Sequence, residues 1–164
     1  MIKPALLLSS AVLVITPTDL LTKLLKTPIK PSELPTGFSK PKISRQTLGR
    51  NGIKYHAVGE VAVLVQGPDA EDAFAWEAFK THANAIGDLD HPQLSLTTKV
   101  VDTVPRYKDS LLLTGRLSGR IIYDAATVVD NVLIQGVTVS AHGNKAGAIA
   151  LLRAAVKHFA RVRG

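Results

Sequence analysis

Two hydrophobic periods run through this chain. Within residues 55–66 Val61, Val63 and Val65 fall on one side while Ala62, Leu64 and Gln66 fall on the other, the period-two pattern of a β-strand. Both sides are largely apolar, which predicts an interior strand, and Gly67, Pro68 and Asp69 end it with turn chemistry. Further strands are predicted over residues 96–104, 110–117, 120–129 and 132–141. The last two meet at Asp130 and Asn131, a two-residue loop that tolerates positive φ and suits a tight hairpin. Gly115, Gly119 and Gly136 are expected to mark bends or bulges.

The helical period is clearest at the C-terminus. Ala148, Leu152, Ala155, Phe159 and Val162 recur at spacings of four and three, opposite a stripe of Arg153, Lys157 and Arg161. Asn144 stands where an N-cap belongs, and the apolar stripe should pack on the sheet. Residues 69–92 read two ways. Propensity makes most of them helix, but Phe74, Trp76 and Ala78 alternate, and Thr81 can cap a shorter helix running to about Leu89. A strand over residues 72–80 followed by a helix is the favoured reading, with Pro92 closing it. The fold class that results is α+β: an antiparallel sheet packed against a C-terminal helix and a shorter internal helix.

The N-terminal third is organised differently. One Lys precedes an apolar run over residues 5–15, the length of a signal-peptide core and too short to span a bilayer. Residues 1–18 therefore read as a signal-like leader. Against this, Thr16 and Thr18 make a poor cleavage site, and Lys23, Lys26 and Lys30 follow closely. Export to the cell envelope or beyond is the favoured location, and a cytoplasmic domain with a buried first element is the alternative. Thr18 can cap a short amphipathic helix with Leu20, Leu21, Leu24 and Leu25 on one side. Pro28, Pro31 and Pro35 then interrupt it, so residues 19–36 are expected to be a short helix and a basic, Pro-rich spacer open to proteases. Residues 37–164 are left as a single domain.

Charge sharpens that division. Up to Lys54 the chain has nine Lys and Arg against Asp19 and Glu33, a balance of +7, which is the net charge of the whole 164 residues. The remainder is neutral. A leader of this kind offers peripheral membrane contact through the N-terminal segment, although its lysines are spread rather than clustered. Nucleic acid is disfavoured, because the body has no continuous basic surface and only 5% of residues are aromatic. With 46% apolar residues the body can bury a core without staples. There is no cysteine, which excludes disulfides, thiolate chemistry and a lipoprotein anchor.

Candidate chemistry is sparse. No nucleophile elbow, phosphate-binding loop, HExxH helix or dinucleotide fingerprint occurs. Asp88, Asp90 and His91 form the densest polar cluster, able in principle to hold a metal or to act as acid and base. Three such residues at a Pro-terminated helix end lack inward-facing ligand spacing, and a solvated loop is the simpler reading. His56 reads as a sheet residue and His158, beside Phe159, as a residue at the core boundary. No catalytic, cofactor-binding or metal-binding residue is assigned, and no cofactor is called for.

The segments GEVAVLVQGPDA, SLLLTGRLSG, DNVLIQGVTVSA and AIALLRAAVKHFARV resemble small exported proteins of actinobacteria, mycobacteria among them, of unassigned function. The resemblance covers most of residues 33–162 and implies a signal sequence or lipobox, a spacer and an α+β body. This chain departs from it in lacking the lipobox cysteine. The functional expectation is an exported, non-catalytic binding or interaction module, its sheet enclosing a modest apolar ligand. The alternative is an envelope accessory protein that binds another protein, and an enzyme with an unfamiliar site ranks last.

Overall fold

Alternating segments become seven strands in the computed structural model, which describes residues 15–48, 57–90 and 99–164. The strands are β1 (Ser39–Leu48), β2 (Ala57–Gln66), β3 (Glu71–Phe79), β4 (Lys99–Asp102), β5 (Ser110–Leu117), β6 (Arg120–Val129) and β7 (Val132–Ser140). They form one sheet in the order β1-β2-β3-β7-β6-β5-β4, with every neighbouring pair antiparallel. Two meanders thus meet where β3 pairs with β7. The helices are α1 (Pro17–Lys26), α2 (His82–Asp90) and α3 (Lys145–Arg163), with a 3-10 turn at Pro31–Glu33.

Directly paired residues share a face, so register sorts the side chains. One face presents Val61, Val63, Phe74, Trp76, Ile134, Ala125 and Leu112, and α1 and α3 close over it to make the main core. Trp76 is buried there, and its indole Nε1 donates to the Ala155 carbonyl at 3.1 Å, satisfying the ring's polar atom. On the other face Ala57, Phe79, Ala126, Val128 and Leu133 pack against Ala85 and Leu89 of α2.

The strand-then-helix reading of residues 71–90 holds. Thr81 caps α2 by accepting from the Asn84 amide at 3.1 Å. Asn144 caps α3 in the same way, its Oδ1 accepting from the Gly147 amide at 2.8 Å.

Four expectations change. The cap of α1 is Thr16, whose hydroxyl accepts from the Asp19 amide at 3.2 Å, so Thr18 lies inside the first turn. The supposed spacer is packed: Leu20, Leu21, Leu24, Ile29 and Leu34 all enter the main core. Proline fixes φ without preventing side-chain burial, so residues 27–36 form a strap over α3 rather than a solvated linker.

Gly115 and Gly136 sit in unbroken register opposite Ile122 and Ala125, and the register shifts fall instead in the β1–β2, β2–β3 and β4–β5 pairings. At Gly136 a Cβ would overlap the Ala148 carbonyl and the Leu152 amide, so glycine lets α3 lie close on the sheet. Finally β1 begins the sheet at residue 39. It is an edge strand carrying Lys40, Pro41, Lys42 and Arg45, residues that blunt an edge against further pairing.

Residues 1–14, most of the expected leader, lie outside the described residues, as do His56, His91 and the start of the strand expected over residues 96–104.

Candidate functional site

The second sheet face carries two rows next to the α2 core, the nearer of which meets it at Ala126 and Leu111. One runs across the strands as Leu64, Ala73, Val137, Asp124, Leu113 and Val100, and the next as Ala62, Ala75, Gln135, Ala126 and Leu111. Among the described residues α2 is the one helix on this face, at the end bearing Phe79 and Leu133. Alanines at 62, 73 and 75 carry shorter side chains than Leu64, Leu111, Leu113 and Val137 in the same rows, so side-chain size alone makes this stretch a shallow trough. Leu64, Val100 and Leu117 are 39%, 45% and 51% exposed. Contiguous apolar surface of this kind marks an interaction site more often than scattered exposed residues do.

Asp124 is the anomaly in the trough. Its cross-strand neighbours are Leu113 and Val137, both apolar and half-buried. Gln135 Nε2 donates to Asp124 Oδ2 at 3.0 Å, whereas Oδ1 is shut off from solvent with no partner among the described residues. Burial pushes the carboxyl up to about 7, with the Gln135 bond pulling the other way. An unpaired buried acceptor of this kind costs about 1–3 kcal/mol, and Asp72 Oδ1 and Ser140 Oγ are likewise buried without a partner among the described residues.

Other charges on this face are mainly acidic. Glu60 is buried and paired with Arg45, Glu77 and Asp88 each have a partner, and Glu71 and Asp90 are exposed. The bases on this side are Lys42 and Arg45 of β1, paired into these rows, and Arg120 of β6 opposite Leu117. A face dominated by carboxylates therefore sits in a chain whose net charge is +7.

A second polar cluster fastens the strap. His158, only 1% exposed, has Nδ1 at 2.8 Å from Glu33 Oε2 and Nε2 at 2.9 Å from the Thr27 carbonyl. Arg161 Nη2 donates to Glu33 Oε1 at 2.8 Å and lies 3.2 Å from His158 Nδ1. The Thr27 carbonyl can only accept, so Nε2 donates to it, while Nδ1 lies between Glu33 Oε2 and Arg161 Nη2. Burial raises the Glu33 pKa, but the bonds from His158, the Lys30 amide and Arg161 outweigh it and hold the carboxyl below its ordinary value. His158 is thus a hydrogen-bonded core residue, where a boundary residue was expected.

A third cluster supports the start of α3. Asn144 Nδ2 donates to Asp69 Oδ2 at 2.8 Å, and the Asp69 amide reaches the buried Asp72 carboxylate at 3.4 Å. Burial, and then the neighbouring Asp69 carboxyl, push Asp72 up to about 7. Its place beside a helix cap gives it a structural role. At the sheet end, Ile15, Thr16, Lys80, His82, Asp130 and Asn131 line an open cavity of about 500 Å³.

The sequence candidates do not assemble into a centre. Asp88 and Asp90 lie in the last turn of α2, and among the described residues no three His, Cys, Asp or Glu are placed to hold a metal ion. Sequence reasoning missed Asp124, although one signal was available: a lone acid in the otherwise apolar stretch IIYDAATVV.

Among the described residues no helix is long and apolar enough to cross a membrane. No family model matches the chain, and no curated protein does. Among solved structures it is similar to the extracellular domain of PknH from Mycobacterium tuberculosis, at a TM-score of 0.45 and 12% identity over 93% of each chain.

Proposed function

We propose that the protein is an exported, non-catalytic binding module whose working surface is the second face of the sheet. The observation that carries this reading is the pairing of an alanine-floored apolar trough with one unpartnered carboxyl oxygen at Asp124. Ligand sites are built that way, from apolar walls and a few placed polar groups. Export rests on the apolar run over residues 5–15 behind Lys3. The fastened strap and the capped α3 brace the opposite face, leaving this one to vary its contacts.

Titration with Nile red, a neutral solvatochromic dye, tests the surface. Saturable binding is expected in the full chain and should be lost in Ala75→Trp, which fills the trough floor. Unsaturable uptake, or binding indifferent to Ala75→Trp, would remove this face as the site. A concentration-dependent mass that Leu117→Glu abolishes would favour the second reading, a protein partner seated on the exposed margin of Leu64, Val100 and Leu117. Export is tested by fractionation: the full chain should leave the cytosol and a form starting at Ile15 should remain in it.

A further inference from the structure

We infer that the ligand of this face is a small cationic amphiphile, an ammonium group on an apolar body, with Asp124 Oδ1 as the anchor for the cation; this rests on the binding-face reading above. Three observations converge on it. Oδ1 is an acceptor without a donor among the described residues, in a row whose other members are apolar from Leu64 to Val100 and which ends on Lys42 of β1. A carboxylate accepts and an ammonium only donates, so the two complete each other's inventory. Among the described residues the side chain bonded to Asp124 is Gln135, which uses one amide hydrogen on Oδ2 and leaves the other oxygen open.

Charge over the wider face points the same way. Glu60, Glu71 and Glu77 lie on the same side of β2 and β3 as the trough, and α2 adds Asp88 and Asp90 beside it. The bases on this side are Lys42 and Arg45 on the edge strand, Arg45 being committed to Glu60, and Arg120 at the hairpin end opposite Leu117. An anionic amphiphile would meet this field unfavourably, and a neutral one would leave Oδ1 without a charged partner. Size is set by the rows: the alanine floor admits an unbranched chain or a flat ring. Leu113 and Val137, which flank Asp124, are half-buried rather than sealed, so rotation of side chains opens Oδ1 without moving backbone.

The experiment compares decylamine, decanol and decanoate, each below its micellar concentration, on the full chain by methyl NMR of Leu64, Leu113, Ile122 and Val137. Decylamine should bind about tenfold or more tighter than decanol, the range a charge-assisted hydrogen bond supplies, and decanoate more weakly than either. In Asp124→Asn, which keeps shape and can still bond Gln135, the amine's advantage should shrink to within about twofold, with decanol binding retained. Equal affinity for amine and alcohol, or an amine preference unchanged in Asp124→Asn, would overturn the cationic assignment and leave the face as an apolar site. Absence of shifts at these methyls with all three probes would overturn the binding face itself. Ala75→Trp guards against binding elsewhere: it should abolish shifts from every probe, and survival of the amine preference in it would place the cation site off this face.

Discussion

Asp124 and Glu33 show how a titratable side chain is tolerated in a sheet protein, and they do it with opposite signs. Asp124 is held up at about 7 from an ordinary 3.8 by burial, so the folded state keeps a proton that the unfolded chain releases near pH 4. Stability from this group is therefore complete below the unfolded value, falls as pH rises towards 7 and is flat above it. Asp124→Asn imitates the protonated acid. It should leave stability at pH 4 within about 1 kcal/mol and raise it by about 1–3 kcal/mol at pH 8, read by urea denaturation across that range. Asp72, also raised to about 7, contributes a slope of the same sign, so the variant should keep part of the decline; an unchanged slope would mean that Asp124 is ionised in the fold.

Glu33 behaves in the ordinary way. Its lowered carboxyl contributes stability above its unfolded value of 4.5 that is lost as pH falls through the folded one. His158→Phe preserves bulk but leaves the Thr27 carbonyl without its donor and Glu33 Oε2 without its ring contact, and should cost about 2–4 kcal/mol near neutral pH by chemical denaturation. Neither the role of Asp124 nor that of His158 was legible in the sequence. A lone acid in an apolar strand and a histidine on the apolar side of a helix are visible as types, but the partners that decide their chemistry lie 11 and 125 positions away.

Among the elements, legibility followed local chemistry. β5 and β6 were read with their observed ends because hairpin residues bound them: Ser118 and Gly119, at φ values of 50° and 78°, and Asp130 at 53° carry the turns. β1 was not read at all, since an edge strand exposes both sides and its sequence SKPKISRQTL lacks alternation. α3 was read correctly as an amphipathic helix, but the close approach at Gly136 was not, because it depends on which helix crosses which strand. Phe159 is fully buried and Lys157 exposed. Phe159→Ala should cost about 3–5 kcal/mol and Lys157→Ala under about 0.5 kcal/mol, measured as denaturation midpoints. Gly136→Ala should destabilise by about 1–3 kcal/mol or more, because its Cβ meets helix backbone rather than a side chain that can turn aside; a neutral result would show α3 free to lift from the sheet.

At the scale of the whole molecule, residues 15–36 are part of the main core, to which they bring Leu20, Leu21, Leu24, Ile29 and Leu34, rather than an approach to it. The sequence hid this behind composition, since four prolines and scattered lysines read as solvated chain while Ile29 and Leu34, spaced between them, do the packing. Removing residues 1–36 would expose the surface now covered by Leu20, Leu21, Leu24, Ile29 and Leu34. At about 1.5–3 kcal/mol for each fully buried aliphatic side chain, that loss is comparable to the roughly 5–15 kcal/mol that holds a domain together. A chain starting at Gly37 should therefore fail to unfold cooperatively, whereas one starting at Ile15 should match the full chain. Trp76 reports the difference, being the single tryptophan and lying with its ring 5.6 Å from that of His158, so its near-ultraviolet circular dichroism should vanish in the shorter form and persist in the longer. The same packing predicts that trypsin spares the Lys26–Thr27 bond in the intact protein and cuts it in His158→Phe, where the strap has lost its fastening. Rapid cleavage at Lys26 in the unaltered chain would return residues 27–36 to the role of a spacer.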